Sequence, residues 1–244
     1  MKDISFLRKG LIAHRGYHDK DKGIIENSIE SFERAIAYKY IIELDVHMLN
    51  DGNIVVFHDS NLKRICGVNK VIENCSYDEI KNYKLFNTES KIPLLSDVLK
   101  LVDGKVPLLI EIKKYYKYGI LEKKLTNMLR DYNGKVAVQS FYPKTIFWFK
   151  KNARNIPVGL LTSDFKNSSN NLKRLIGKTI LLDIILKSDF ISYDIKATPN
   201  LYINSKKKKK FILGWTIKDK KTYEKGITYF DNLICENMDR YTRT

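Results

Sequence analysis

Residues 41–59 read IIELDVHMLNDGNIVVFHD. Two strand-like runs, IIELDV and NIVVFH, flank Asp51-Gly52, and Asp-Gly between such runs is a strong short-range hairpin signal. A two-residue turn there predicts Asn50 opposite Asn53 and, further back, Asp45 opposite His58. Directly opposed residues stand about 4.5–5.5 Å apart at Cβ. Side chains alternate along a strand, so Glu43 and Asp45 share a face. The stretch therefore gathers two carboxylates and an imidazole at one spot. Paired carboxylates suit a hard cation, and a neutral imidazole can move a proton. The rest of the chain must supply the opposing wall.

On the N-terminal side, residues 11–13 form a short apolar run, read as a buried strand ending at His14-Arg15-Gly16. Ile29, Phe32, Ala35 and Ile36 then recur at helical spacing behind Ser28, a helix-capping residue type. On the C-terminal side, residues 60–91 read as loops with one short helix, led by Ser76 with Glu79 at capping-box spacing. Residues 93–101 are an amphipathic helix. Residues 106–112 (VPLLIEI) are nearly all apolar, as expected of a strand covered on both faces, and end in Glu111-Ile112-Lys113. Strand-like runs at 136–139, 158–161, 190–193, 211–215 and 233–235 alternate with helical patterns at 121–130, 144–151, 172–186 and 219–226. Residues 196–210 read as a loop or broken helix.

With the NIVVFH arm as an excursion after the second strand, eight principal strands remain. That count and this length predict an α/β fold, a TIM (β/α)8 barrel, in one domain spanning residues 1–244. Active sites of such barrels lie at the C-terminal strand ends. His14, Glu43, Asp45, Glu111, Phe141 and Trp215 all fall at or near such ends.

The 244 residues are 43% hydrophobic and carry a formal net charge of +16. The excess favours anionic partners, whether phosphate-bearing substrates, membrane surfaces or nucleic acid, and equally fits a solvated lysine-rich surface. No nucleic-acid-binding module signature is present, so no specific nucleic-acid partner is expected. Cys66, Cys75 and Cys235 form no CxxC pair and are odd in number, which fits a reducing, cytoplasmic setting. The N-terminus lacks an apolar signal core, and no apolar run is long enough to span a bilayer. Membrane contact is expected to be at most peripheral, with the lysine run 206–210 either a solvated loop or a phospholipid contact.

HRG at 14–16, ENS at 26–28, ELD at 43–45, DG at 51–52, HD at 58–59, EIK at 111–113 and WT at 215–216 occur in this order. Each is short, but the ordered set resembles the glycerophosphodiester phosphodiesterase family, metal-dependent barrels of the PLC-like phosphodiesterase kind. The chain departs from the family pattern at Ile25, where Pro commonly precedes this motif, at Leu49, commonly Thr, and at ICEN (234–237). The resemblance implies a hydrolase of lipid and glycerol metabolism that converts glycerophosphodiesters to glycerol 3-phosphate and an alcohol. It also leaves open a lysophospholipase D-like enzyme acting on lipid substrates. A non-catalytic anion-binding barrel is the remaining alternative.

Residue by residue, the resemblance makes Glu43, Asp45 and Glu111 ligands of one divalent cation, Mg2+ or Ca2+, which all-oxygen donors suit. Glu111 follows a buried apolar run, where an unpaired carboxylate is costly. His14 and His58 match the catalytic histidines, which deprotonate a nucleophile and protonate a leaving alkoxide. That nucleophile is water or the glycerol 2-hydroxyl, the latter giving a cyclic phosphate. Arg15 would clamp phosphate oxygens, with Lys113 beside it. Asn27 would bond an active-site group or fix its loop. Phe141 and Trp215 would wall the pocket, or pack in the core. His18 and His47 are read as non-catalytic.

Overall fold

The computed structural model describes residues 2–166, 168–179, 181–207 and 209–237. In chain order the elements are β1 (Ile12–Ala13), α1 (Ile29–Ala37), β2 (Ile41–Met48), β3 (Ile54–Val56), α2 (Lys63–Cys66), α3 (Tyr77–Ile80), α4 (Leu95–Val102), β4 (Leu108–Ile112) and α5 (Ile120–Arg130). They continue with β5 (Val136–Ser140), α6 (Pro143–Asn152), β6 (Val158–Thr162), α7 (Asn171–Thr179), α8 (Leu181–Leu186), β7 (Phe190–Asp194), α9 (Leu201–Lys207), β8 (Phe211–Ile217), α10 (Lys220–Tyr229) and β9 (Asn232–Cys235). The strand order β1-β9-β8-β7-β6-β5-β4-β2-β3, with β1 also paired to β2, is that of a parallel (β/α)8 barrel with β3 as an extra strand. Among the described residues no helix is long and apolar enough to cross a membrane.

The chain groups into two compact units, residues 13–136 and residues 1–12 with 137–244. In the first, every residue of β2 is buried, including Glu43, Asp45 and His47. Ile42, Leu44 and Val46 fill the alternate positions, and burying each such side chain contributes about 1.5–3 kcal/mol. β2 pairs in parallel with β4, placing Asp45 beside Glu111. Helix α1 starts where the Ser28 side chain accepts the Ser31 amide. In α4, Leu95, Val98, Leu99 and Val102 form the buried stripe that the amphipathic pattern predicts.

The hairpin differs from the sequence reading by one residue. β2 and β3 are antiparallel with Val46 opposite Val56 and Met48 opposite Ile54. Leu49, rather than Asn50, faces Asn53, and Phe57, rather than His58, bonds back to Asp45. The loop therefore has three residues. The Gly52 amide closes it onto the Leu49 carbonyl, and Gly52 adopts φ +84°, the left-handed residue that such loops require. His58 lies beyond the end of β3, so strand alternation does not set its direction.

Residues 60–92 carry two four-residue helices, α2 and α3, instead of one. They are held by a local core that includes Leu62, Ile65, Ile72, Ile80, Leu85 and Phe57. In the second unit β6, β7 and β8 pair in consecutive parallel register. The helical stretch 172–186 is two helices, with Gly177 inside the first. Of the lysine run 206–210, Lys208 lies outside the described residues.

Asp189 ties this second unit together. Its carboxylate accepts the Val158 amide at 2.9 Å and the Lys150 ammonium at 2.9 Å, with Lys2 Nζ 3.1 Å away. Burial is outweighed by these donors, and its pKa lies below the ordinary carboxylate value. Asp189→Asn is expected to cost about 1–3 kcal/mol, the usual penalty for disturbing buried donors. A depressed pKa means that the contribution is whole above the unfolded value of about 3.9 and is lost as pH falls through the folded value. Urea melts of both proteins should show a gap at pH 7 that narrows at pH 3. A gap that is absent at pH 7, or unchanged at pH 3, contradicts this role.

Candidate active site

The site in the 13–136 unit grows from β2 and β4. Alternation puts Glu43, Asp45 and His47 on one face of β2. The parallel register then sets Glu111 next to Asp45. All three carboxylates, Glu43, Asp45 and Glu111, are buried, and each has an oxygen within 4.8 Å of the others. Two residues on, Lys113 brings Nζ to 2.7 Å from Asp45 and 2.5 Å from Glu111.

The turn after β1 supplies the next groups. Arg15 and Gly16 both have positive φ, +56° and +79°. A Cβ on Gly16 would stand 2.3 Å from the Ser31 hydroxyl, so only glycine fits. This turn aims the Arg15 amide at Glu43 Oε2, 3.0 Å away. His14 Nε2 lies 4.0 Å from the same oxygen. The Arg15 guanidinium donates to Glu26 at 2.7 Å, and its Nε stands 3.4 Å from Asp45 Oδ2. Asn27, also at positive φ, donates its side-chain amide to Asp45 Oδ2 at 2.9 Å, while its backbone amide bonds the Arg15 carbonyl. Asn27 thus both contacts the site and fixes the loop.

His58 joins by a different route. Its Nδ1 is 2.6 Å from Asp59 Oδ1. Arg64, on α2, donates to both Asp59 oxygens at 2.6 and 2.9 Å and to both Glu26 oxygens at 2.8 and 3.1 Å. His47 Nε2 stands 3.2 Å from the His58 carbonyl and holds that backbone in place. A continuous polar circuit therefore runs His58–Asp59–Arg64–Glu26–Arg15.

The electrostatics follow from burial. Burial, with Asp45 and Glu111 nearby, drives the Glu43 pKa well up. Glu111 is raised, by burial above all, to about 7. Asp45 is also buried, but Lys113, Arg15 and His58 outweigh that and hold it far down. Asp59 is held at about 2, where Arg64 and His58 overcome its burial. Burial lowers the His58 pKa, against the pull of Asp45. Fully ionised, Glu26, Glu43, Asp45, Asp59 and Glu111 outnumber the fixed cations Arg15, Arg64 and Lys113 by two charges, and the raised Glu43 and Glu111 are where that surplus is felt. Three convergent buried carboxylates with that surplus fit a hard divalent cation.

Of the residues singled out in the sequence, His14, Arg15, Asn27, Glu43, Asp45, His58, Glu111 and Lys113 come together in this unit. Phe141 and Trp215 belong to the other, where their rings meet edge to face with centroids 5.7 Å apart. The sequence reading missed the supporting roles of Glu26, Asp59, Arg64 and His47. Glu26 and Asp59 lay inside quoted motifs. Arg64 carried no motif, and only its place five residues after Asp59 marked it.

A model of the glycerophosphoryl diester phosphodiesterase family matches residues 14–241, and the chain belongs to that family. One relative, a glycerophosphodiester phosphodiesterase of Caldanaerobacter subterraneus, is 34% identical over 163 residues, covering 62% of this chain and 65% of its own. A human protein named lysophospholipase D GDPD1 is 32% identical over 145 residues, covering 54% of this chain and 44% of its own. The chain spans less than two thirds of the length of the first curated relatives it matches. Among solved structures, a phosphodiesterase of Oleispira antarctica in complex with the product sn-glycerol-3-phosphate shares the fold. Its TM-score is 0.76 at 20% identity, covering 95% of this chain and 94% of that one.

His58 is expected to titrate below the ordinary imidazole value of about 6.5. Asp59→Asn should lower it further, because the Asp59 hydrogen bond favours the charged ring. Ring-proton NMR across pH 4–9 reads both values; a midpoint that rises in the variant contradicts the assignment.

Proposed function

We propose that this chain hydrolyses glycerophosphodiesters, such as deacylated phospholipids, to glycerol 3-phosphate and an alcohol. Glu43, Asp45 and Glu111 hold one divalent cation, Mg2+ or Ca2+, and His14 and His58 transfer protons. We read the chain as a cytoplasmic, single-domain enzyme of lipid and glycerol metabolism acting on a small-molecule substrate. The observation that carries this reading is the convergence of three buried carboxylates with two imidazoles and a guanidinium. Family membership and the name of the Caldanaerobacter relative support it.

The bound cation would withdraw charge from the phosphoryl oxygens and balance the surplus on the carboxylates. Arg15, braced by Glu26, and Lys113 present donors to the phosphate oxygens. The Asp59 carboxylate accepts His58 Nδ1–H, so the neutral ring keeps Nε2 free to take a proton. In hydrolysis the attacking hydroxyl gives its proton to His58 as its oxygen bonds phosphorus. The bond from phosphorus to the alcohol oxygen breaks, and His14, which enters the step protonated, donates its proton to that oxygen. Water serves as the nucleophile, or the glycerol 2-hydroxyl does, in which case a cyclic phosphate appears first.

A second reading, cleavage of lysophospholipids, draws on the human lysophospholipase D relative. Choline release from glycerophosphocholine and from lysophosphatidylcholine, assayed side by side, separates the two.

His14→Ala and His58→Ala should each lower turnover by about 10²–10⁴-fold, the usual share of general acid–base catalysis, with thermal melts unchanged. Chelator should abolish turnover, and added Mg2+ or Ca2+ should restore it. Glu43→Gln should weaken metal binding by calorimetry. Turnover that survives chelation would overturn the metal assignment, and normal turnover in either alanine variant would remove that histidine.

A further inference from the structure

The established family chemistry leaves one charged feature of the second unit unused. A cavity of about 890 Å3 opens where the chain enters β7 and β8. Its lining carries seven cationic side chains against the carboxylates of Asp3 and Asp189. In a (β/α)8 barrel the chemistry lies at the C-terminal strand ends, whereas Lys187 to Asp189 precede β7 and Lys207, Lys209 and Lys210 precede β8.

Part of this cation set is pinned in place. Asp189 holds Lys150 and Lys2, and Lys2 also donates to the Ile156 carbonyl at 2.6 Å. Asp183, 2% exposed, accepts Lys210 at 2.7 and 2.8 Å, and Lys210 also reaches the Ser188 carbonyl. The Arg8 guanidinium carbon stands over the Phe211 ring, 4.3 Å from its centroid. Lys187 and Lys209 stand exposed on the rim, and Lys207 Nζ is 3.3 Å from the Thr228 carbonyl. Burial holds the Lys2 pKa below its ordinary value, with a smaller push from the Lys150 charge, against the pull of Asp189.

We propose that this cavity is a binding site for a phosphate-bearing anion with two or more negative charges, separate from the carboxylate site on β2 and β4. The ammonium groups of Lys2, Lys150 and Lys210, fixed by Asp189 and Asp183, need no reordering to receive such a ligand, so less entropy opposes binding. A phosphate cluster matches this array better than a single carboxylate, because several point charges act at once. The anion is either a free one, such as a polyphosphate, or the headgroup of an anionic lipid.

The test uses inorganic pyrophosphate, with chelator present to keep metal out of both sites. Calorimetry and thermal melts compare it with sodium chloride at equal ionic strength. The full chain and a Lys187→Glu/Lys209→Glu double variant are compared, since both lysines are exposed and neither belongs to the proposed catalytic groups. Pyrophosphate should bind and raise the melting temperature, and the double variant should weaken binding by at least about tenfold, the scale of electrostatic focusing in charged clefts. Glycerophosphodiester turnover with metal restored should stay unchanged in the variant. In a parallel arm, the chain is sedimented with phosphatidylglycerol vesicles and with neutral phosphatidylcholine vesicles. Retention by the anionic vesicles alone, lost in the variant and displaced by pyrophosphate, assigns a lipid headgroup. Pyrophosphate binding without retention assigns a free anion. No binding in either arm, or binding that the charge reversal leaves unchanged, overturns the proposal.

Discussion

Three carboxylates in one dry spot repel one another, and the arrangement of the 13–136 unit answers that repulsion. Glu43 and Asp45 cannot move apart, because strand alternation fixes both on one face of β2. Glu111 cannot withdraw, because the β2–β4 register sets it beside Asp45. The surrounding groups divide the load unequally. Lys113 and Arg15 hold the Asp45 pKa far down, while burial and the neighbouring acids push Glu43 well up, against the pull of the Arg15 backbone amide. Such asymmetry among adjacent carboxylates is what a removable dication would even out.

The supporting circuit explains why motifs far apart in sequence act together. Arg64 grips Asp59 on one side and Glu26 on the other. Asp59 orients His58, and Glu26 braces Arg15. The HRG, ENS and HD motifs therefore form one electrostatic unit, closed by a residue of α2 that belongs to none of them. The small helices between residues 60 and 92 look peripheral, yet their local core holds Arg64 in reach. His47 adds a further brace at the His58 carbonyl. In such a network a change at one member alters the setting of the others.

The hairpin shows how a sound local reading can still place a residue wrongly. Asp-Gly between strand-like runs did mark a reversal, and it did bring the HD motif back towards Asp45. The loop length differed by one residue, since Gly52 supplies the left-handed position of a three-residue loop. In a ladder of period two, that slip would have turned His58 to the wrong face. The strand ends at Val56 instead, so His58 is placed by its Asp59 contact and by His47.

Local patterns in the chain were enough for the succession of strands, for the eight-strand barrel with its extra arm and for the shared face of Glu43 and Asp45. Apolar periodicity and side-chain alternation carry those over a few residues, whereas His14, Arg15, His58, Glu111 and Lys113 were picked out by the resemblance of the ordered motifs. The hairpin register, the Arg64 circuit, the division of charge among the three carboxylates and the basic cavity came from long-range contacts. Those depend on which distant segments meet. Lys2, Arg8, Lys150, Lys187, Lys207, Lys209 and Lys210 carry no common motif, and they become one array of cations only when folding brings their segments together.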